Sequence, residues 1–549
     1  MHYHIQRKAI PSQFIQVSLS ISSSKGECLK LQLGAWRPGR YELANYAQNI
    51  RFFQATQAGN PVPFKKTSKD CWEVFPNSAN EVLIQYEYFC NQMDAGGSWS
   101  DDEQLYLNFS NFAFDLLGRS EEAITVNLDI PSDYSIACAL PIHGTTLKAK
   151  NYQELMDSPL IASPTLQAFS YQIGTSLFKV WIQGKIYFDV PDFLQTLKEF
   201  SETQIQGFGD FPAATYHFMY QLLPYKHYHG VEHRYSTVIT FGPDESLQET
   251  QQMQELIGVS SHELYHFWNV CRIRPRGISP YDLSKEVYLS EGLALEGITT
   301  YMGDLMLLKS GYFSLEQYLN ELRKQIQKES ESFGWRNQSI VESSFDLWID
   351  GYKAGIPHKK VNIYTRGALI SFCLDVCLVE NGSSLQAMMR KLWNEYGKEG
   401  IGYTWKDFLD VLRAYGNSTT DIEKIIQELI LGKTDIIPFL KTALATIGVN
   451  LSENYPNNPL RHQAGIIIDS SQSIISIHPD SSAIHECMLK DQVLDWNTDE
   501  ASKKIFATIQ RYGRKLILEI PLEENTYFPT WNLEISTSTT VRDKWEKIN

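Results

Sequence analysis

His262-Glu263-Leu264-Tyr265-His266 sets two imidazoles four residues apart with a carboxylate between them. On an α-helix that spacing puts both rings on one face, where they can share a divalent ion, and leaves Glu263 beside the ion's open position. The chemistry such a group can perform is metal-assisted hydrolysis. The ion polarises a carbonyl and acidifies a water, and the carboxylate removes the water's proton. This is the pattern of a zinc hydrolase centre. A tetrahedral catalytic zinc takes three protein ligands and keeps one corner free, so a third ligand is needed. Two carboxylates compete for it: Glu291 in Leu289-Ser290-Glu291-Gly292, and Glu296 in Leu295-Glu296-Gly297, thirty residues beyond His266. Spacing alone leaves both open. The opposing reading is a histidine pair satisfied by ordinary core hydrogen bonds, with Glu263 in a salt bridge to Arg272 or Arg274.

These side chains need helices to hold them. From 249 to 267 the apolar residues Met253, Leu256, Ile257, Leu264 and Phe267 recur at helical spacing with no proline among them, which predicts a long, largely buried helix. A second helix is expected over 293–308, with Leu293, Leu295, Ile298, Met302, Leu305 and Met306 facing inward and Glu296 in its first turn.

The whole chain sets limits on what this centre serves. At 549 residues it is too long for one core, and its 43% hydrophobic and 12% aromatic content excludes disorder. Lys plus Arg is 49 against 64 Asp plus Glu, a net charge of −15, which argues against a nucleic-acid partner. There is no run of eighteen apolar residues, and Met1-His2-Tyr3-His4 lacks the apolar stretch of a secretory signal, so a soluble cytoplasmic protein without membrane attachment is expected. The eight cysteines are scattered with no C-x-x-C, and reduced thiols are expected, Cys373 and Cys377 as small packed side chains.

The expected fold class is multidomain α+β. Residues 1–188 read as a β domain, with strands over 14–22, 28–33, 81–89, 123–130 and 177–186 between turn signals such as Pro38-Gly39 and Gly59-Asn60-Pro61. Residues 189–450 read as a mainly helical catalytic domain, with helices at 192–203, 315–330 and 368–381 and one strand at 236–241. The polar stretch 452–459 reads as a linker to a compact unit over 460–549. That unit is expected to have strands at 464–468, 473–477, 492–496, 515–520 and 531–535 and a helix at 499–512.

The continuation His266-Phe267-Trp268-Asn269-Val270-Cys271-Arg272-Ile273-Arg274-Pro275, together with Glu296-Gly297-Ile298-Thr299-Thr300-Tyr301-Met302-Gly303-Asp304, closely resembles the glycyl aminopeptidase family. These are thermolysin-like gluzincin metallopeptidases carrying a C-terminal PDZ domain. Trp36-Arg37-Pro38-Gly39-Arg40-Tyr41 looks like the family's W-x-P-G-x-Y, so the resemblance spans nearly the whole chain. It implies a thermolysin-like middle domain, a PDZ-like domain over 460–549, and Zn2+ held by His262, His266 and Glu296 rather than Glu291. It implies Glu263 as general base, accepting a proton from the attacking water.

Ile363-Tyr364-Thr365-Arg366-Gly367 resembles the family's Y-x-K-G segment, which makes Tyr364 the candidate donor to the oxyanion. Gly230-Val231-Glu232-His233 resembles its G-L-E-H segment and makes Glu232, with Gly230, the candidate holder of a substrate's free α-amine. His227, His229 and His233 crowd the same stretch and are expected to support the site or face solvent rather than bind a second metal. His229 stands where the family more often has Gly, Cys271 and Arg366 where it has Lys, and His229 could narrow the substrate pocket. No clear G-L-G-F loop is found in the C-terminal unit. The function implied is a zinc aminopeptidase acting on peptides with small N-terminal residues, Gly or Ala. The alternatives are a thermolysin-like endopeptidase and a PDZ-bearing interaction protein with a vestigial metal site, whose PDZ-like unit would take a peptide or protein ligand.

Overall fold

The computed structural model describes residues 1–417 and 419–547. Its N-terminal part is built from one eight-stranded and two four-stranded sheets. Along Phe14–Ser22 the residues Ile15, Val17, Leu19 and Ile21 are fully buried, each such side chain contributing roughly 1.5–3 kcal/mol of burial, while the residues between them face outward. The neighbouring strand Glu81–Phe89 repeats the alternation with Val82, Ile84, Tyr86 and Tyr88, which fixes the register of the antiparallel pair.

A five-stranded sheet follows, in the spatial order Gln167–Ile173, Ser176–Gln183, Thr215–Leu222, Ser236–Gly242, His227–Glu232. The expected strand at 177–186 is therefore not part of the N-terminal sheets. It pairs in parallel with Thr215–Leu222, and the helix Val190–Phe208 is the crossover between them. Periodicity could not reveal this, because a strand that alternates buried and half-buried residues reads alike in either sheet. The strand His227–Glu232 lies at the sheet edge beside the helix Thr250–Tyr265, so Gly230 and Glu232 reach that helix from a strand.

The helix Thr250–Tyr265 is anchored by buried polar side chains as well as apolar ones. Gln204 Nε2 donates to the Ser261 carbonyl at 2.8 Å, Ser261 Oγ donates to the Gly303 carbonyl at 2.8 Å, and the Tyr220 and Ser260 hydroxyls pair at 2.9 Å. Beyond its end Phe267 stacks on Phe211 at 3.9 Å and Trp268 on Phe208 at 4.4 Å. The expected second helix is present in two parts: a π-helical turn, Leu293–Gly297, runs into the α-helix Ile298–Lys309. No single helix among the described residues is long and apolar enough to cross a membrane.

The C-terminal unit has its own apolar core, from Leu460 to Ile520, and departs from expectation in two places. Residues 499–512 do not form a helix: Lys504–Arg511 is a strand with Ile505, Ala507 and Ile509 buried at period two. Tyr512 and Gly513, at φ 49° and 79°, turn it into Arg514–Pro521 as a hairpin. The sequence Ile-Phe-Ala-Thr-Ile carries both periods, and the turn decides between them. In addition, part of the stretch expected as a linker is a strand, Val449–Asn454, paired with Thr530–Ile535. The chain end then returns to the middle domain as the helix Thr540–Trp545, where Trp545 is fully buried and donates to the Tyr301 hydroxyl at 2.8 Å.

Candidate active site

His262 and His266 point off one face of their helix toward the π-helical turn. Their Nε2 atoms are 3.0 Å apart, and Glu296 Oε2 lies 3.6 Å from the first and 3.4 Å from the second. A tetrahedral ion with ligand bonds of about 2.1 Å needs donors roughly 3.4 Å apart, so the three atoms fit such an ion. Glu296 Oε2 is buried without a hydrogen-bond partner, an arrangement that costs free energy unless a cation answers it. The His266 ring is oriented from behind: its Nδ1 lies 2.6 Å from the Asn269 carbonyl, which fixes the N–H there and turns the Nε2 lone pair to the cluster. Asn269 in turn donates to the Ala294 carbonyl at 2.7 Å and to Thr299 Oγ1 at 3.0 Å, tying the end of one helix to the start of the next.

Glu291 is elsewhere. It accepts a hydrogen bond from the Ser290 amide at 2.7 Å and belongs to no metal-capable cluster among the described residues. Nor is Glu263 in a salt bridge with the arginines that follow: Arg272 donates to the Phe267 carbonyl and Arg274 to those of Val270 and Cys271. Glu263 Oε2 has no partner either.

Glu232, Glu263 and His266 form a second cluster around the same imidazole. Burial raises the Glu232 carboxyl above the usual range, with His266 opposing and Glu296 adding to the effect. Burial does the same to Glu263, with Glu232 and Glu296 adding to it. Burial likewise opposes ionisation of Glu296, but its two histidines win and hold it low.

Glycines make the closeness of these carboxylates possible. A Cβ at Gly230 would stand 2.3 Å from Glu263 Oε1, and one at Gly39, where φ is 75°, would stand 2.5 Å from Glu232 Oε2. Gly230 thus lines the site by leaving room for Glu263. Of the W-R-P-G-R-Y segment, whose place the sequence left undefined, Gly39 and Arg40 line the cleft while Trp36 and Tyr41 are buried in the core.

Tyr364 is brought to the cluster by another glycine contact. A Cβ on Gly297 would be 2.6 Å from Gly367 Cα, so the π-helical turn and the helix Thr365–Glu380 cross backbone to backbone. Asn362 Oδ1 accepts from the Tyr364 and Thr365 amides at 2.9 and 3.0 Å and starts that helix. Fully buried Arg366 pins the same turn, donating to Glu329 at 2.5 Å and to the Thr434 carbonyl at 2.7 Å. Gly39, Gly230, His262, Glu263 and Tyr364 together line one cleft of about 700 Å³. Its lining also includes Tyr352, which no sequence signal marked out.

The neighbouring histidines are placed as well. His229 lines the cleft, 3.4 Å from Arg37 Nη2 and 3.8 Å from Asp94, and burial followed by the Arg37 charge pushes it down to about 3, so it is neutral. His233 pairs with Asp157 at 3.0 Å. His227 Nε2 is buried without a partner.

Residues 2–164 match the Peptidase M61 N-terminal domain and residues 255–370 match the M61 glycyl aminopeptidase domain, together just over half of the chain. No curated protein sequence matches. Among solved structures the fold is similar to an aminopeptidase N family protein from Idiomarina loihiensis, at TM-score 0.88 and 22% identity over 100% of this chain and 99% of that one. An M1 zinc metallopeptidase from Deinococcus radiodurans bound to a Tyr-Ser-Ala substrate aligns at TM-score 0.49 and 15% identity, over 79% of this chain and 94% of that one. By its family match the protein is a metallopeptidase. More narrowly, the chain belongs to the M61 peptidase family.

Proposed function

We propose that the protein is a zinc-dependent aminopeptidase that removes small N-terminal residues from peptides. The observation that carries this reading is the buried carboxylate of Glu232 beside the metal-capable cluster of His262, His266 and Glu296. A cationic α-amine paired with Glu232 would set the first peptide bond, and no later one, against the ion. Zinc, when bound to those three side chains, supplies carbonyl polarisation and a more acidic water. Glu263 takes the proton from the attacking water, an assignment its freedom from salt bridges and its place at the cleft wall support. Tyr364 donates a hydrogen bond to the oxygen that gains charge as the carbonyl is attacked. His229 on the amine side, held by Arg37 and Asp94, reduces the room for the first side chain and supports a preference for Gly or Ala.

A fluorogenic panel of aminoacyl amides, with and without a chelator, tests this. Chelator-sensitive release of Gly and Ala, and refusal of the N-acetylated amides, are expected. Cleavage of acetylated peptides at internal bonds would replace the reading with an endopeptidase.

For the C-terminal unit we retain a PDZ-like reading, supported by the family resemblance and by a separate core. A peptide or protein ligand would bind it by adding a strand to an exposed sheet edge. A peptide-display screen of the full chain tests that part.

A further inference from the structure

Arg272 and Arg274, which do not pair with Glu263, form an ion pair with no other carboxylate among the described residues. Arg272 is 6% exposed, donates to the Phe267 carbonyl at 2.6 Å and leaves Nη2 buried without a partner. Its guanidinium lies 3.5 Å from the centre of the Phe267 ring and 5.2 Å from that of Tyr235. Arg274 donates to the Val270 and Cys271 carbonyls and lies 4.2 Å from the centre of the Tyr281 ring. Arg234, exposed at the turn after Glu232, stands over the Tyr235 ring at 5.9 Å and its guanidinium also has no carboxylate within ion-pair distance. A charge held away from water is costly unless an opposite charge answers it. Three arginines gather here without one.

They surround a cavity of about 290 Å³ between two parts of the chain. Arg234, Tyr235, Arg274 and Tyr281 of the middle domain form one wall, and residues 150–158 of the N-terminal part form the other. Contacts between the two parts close its rim. Gln153 donates to the Tyr281 carbonyl at 3.0 Å, and Asp157 accepts from the Arg234 amide at 3.1 Å and lies 3.0 Å from His233 Nδ1. The two carboxylates on the lining are thus engaged: Asp157 in those contacts, and Glu154 with the Lys150 amide at 2.6 Å and its ammonium at 3.7 Å. Arg234 and Arg274 remain uncompensated, with Arg272 behind the Tyr235 ring. Burial, and after it the Arg234 charge, push Arg272 down to about 10, which is the sense expected where cations crowd one another.

An oxyanion would answer this excess. Guanidinium donors match the oxygens of carboxylates and phosphates in pairs, and the phenols of Tyr235 and Tyr281 offer further donors. We propose that this cavity binds a small oxyanion, a phosphate or a carboxylate, which clamps the N-terminal part to the middle domain through Arg234 and Arg274. The proposal stands apart from the aminopeptidase reading, because no residue of this cavity lines the catalytic cleft.

Calorimetric titration of the full chain with inorganic phosphate, and separately with acetate, tests it, with ionic strength held constant by potassium chloride. Saturable binding of at least one anion is expected, and the anion that binds should raise the melting temperature. Binding of one anion alone supports the proposal and selects the class. Arg234→Gln and Arg274→Gln should each weaken binding roughly 10- to 150-fold, the worth of one charge-assisted hydrogen bond, and abolish the rise in melting temperature. Should Arg274→Gln fold poorly, Arg234→Gln carries the test, since that side chain is exposed. Failure of both anions to bind overturns the proposal. Binding that survives Arg234→Gln unchanged belongs to another site, the metal centre included, and overturns it too, as does binding that leaves the melting temperature unmoved.

Discussion

Replacing Glu232 by Gln removes a charge and keeps the shape. In the free protein little change in stability is expected, because burial and Glu296 disfavour the ionised Glu232 carboxyl while His266 favours it. The cost falls on the substrate. A charge-assisted hydrogen bond from an α-ammonium to a buried carboxylate is worth about 1.5–3 kcal/mol, and a neutral amide recovers little of it. At 1.4 kcal/mol per decade this is a loss of roughly 10- to 150-fold in kcat/KM on glycyl and alanyl amides. The assay is kcat/KM on paired substrates, free and N-acetylated, with zinc content measured on the same samples. The free-amine substrates should lose the factor given above and the ratio between the two classes should collapse toward one, with bound zinc unchanged. Equal losses on both classes would mean that Glu232 tunes the metal site rather than holding the amine, and the exopeptidase argument would fail.

Glu263→Gln should lower turnover roughly 100- to 10,000-fold with zinc retained, measured by single-turnover kinetics and metal analysis; retained activity removes it as the base. Glu296→Gln leaves two imidazoles for the ion, and dialysed protein should lose its zinc and its chelator-sensitive activity together. Gly39→Ala forces a Cβ toward Glu232 at positive φ, so KM for free-amine substrates should rise and stability fall by about 1–2 kcal/mol in denaturant titration. Asp304, on the cleft beside Glu321, is pushed up to about 7 by burial first and that neighbour second. An acid with a raised folded pKa destabilises above its unfolded pKa, with the penalty complete above 7. Asp304→Asn should therefore raise the melting temperature at pH 8 and change it little near pH 4, and the reverse pattern refutes the assignment.

The metal-capable face was legible because a helix turns spacing into direction: His262 and His266 could share an ion only if 249–267 was helical, and its apolar spacing required that. The third member of the metal-capable cluster was not legible from spacing. Glu291 and Glu296 both sit near the start of a helix, and a π-helical turn, unmarked in the sequence, gives Glu296 its direction. The C-terminal hairpin was misread because Ile505, Ala507 and Ile509 suit a strand while the intervening residues also suit a helix. Tyr352 was invisible, since nothing in Gly351-Tyr352-Lys353 separates it from other tyrosines and its position depends on contacts far away in sequence.

What the sequence did contain, without advertising it, is the set of glycines that lets four charged side chains and a phenol converge. Gly39, Gly230, Gly297 and Gly367 belong to four different elements, and each lies where a Cβ would strike a site carboxylate or a crossing backbone. The family resemblance carried all four within its segments, W-x-P-G-x-Y, G-L-E-H, Y-x-K-G and the run that begins Glu296-Gly297, beside residues with more obvious chemistry. At Gly39 and Gly230 the bare backbone leaves room for Glu232 and Glu263, and at Gly297 and Gly367 it lets two helical segments cross in contact. Chemistry-bearing side chains in the site are thus specified by type, and their separation is specified by the absence of side chains opposite them.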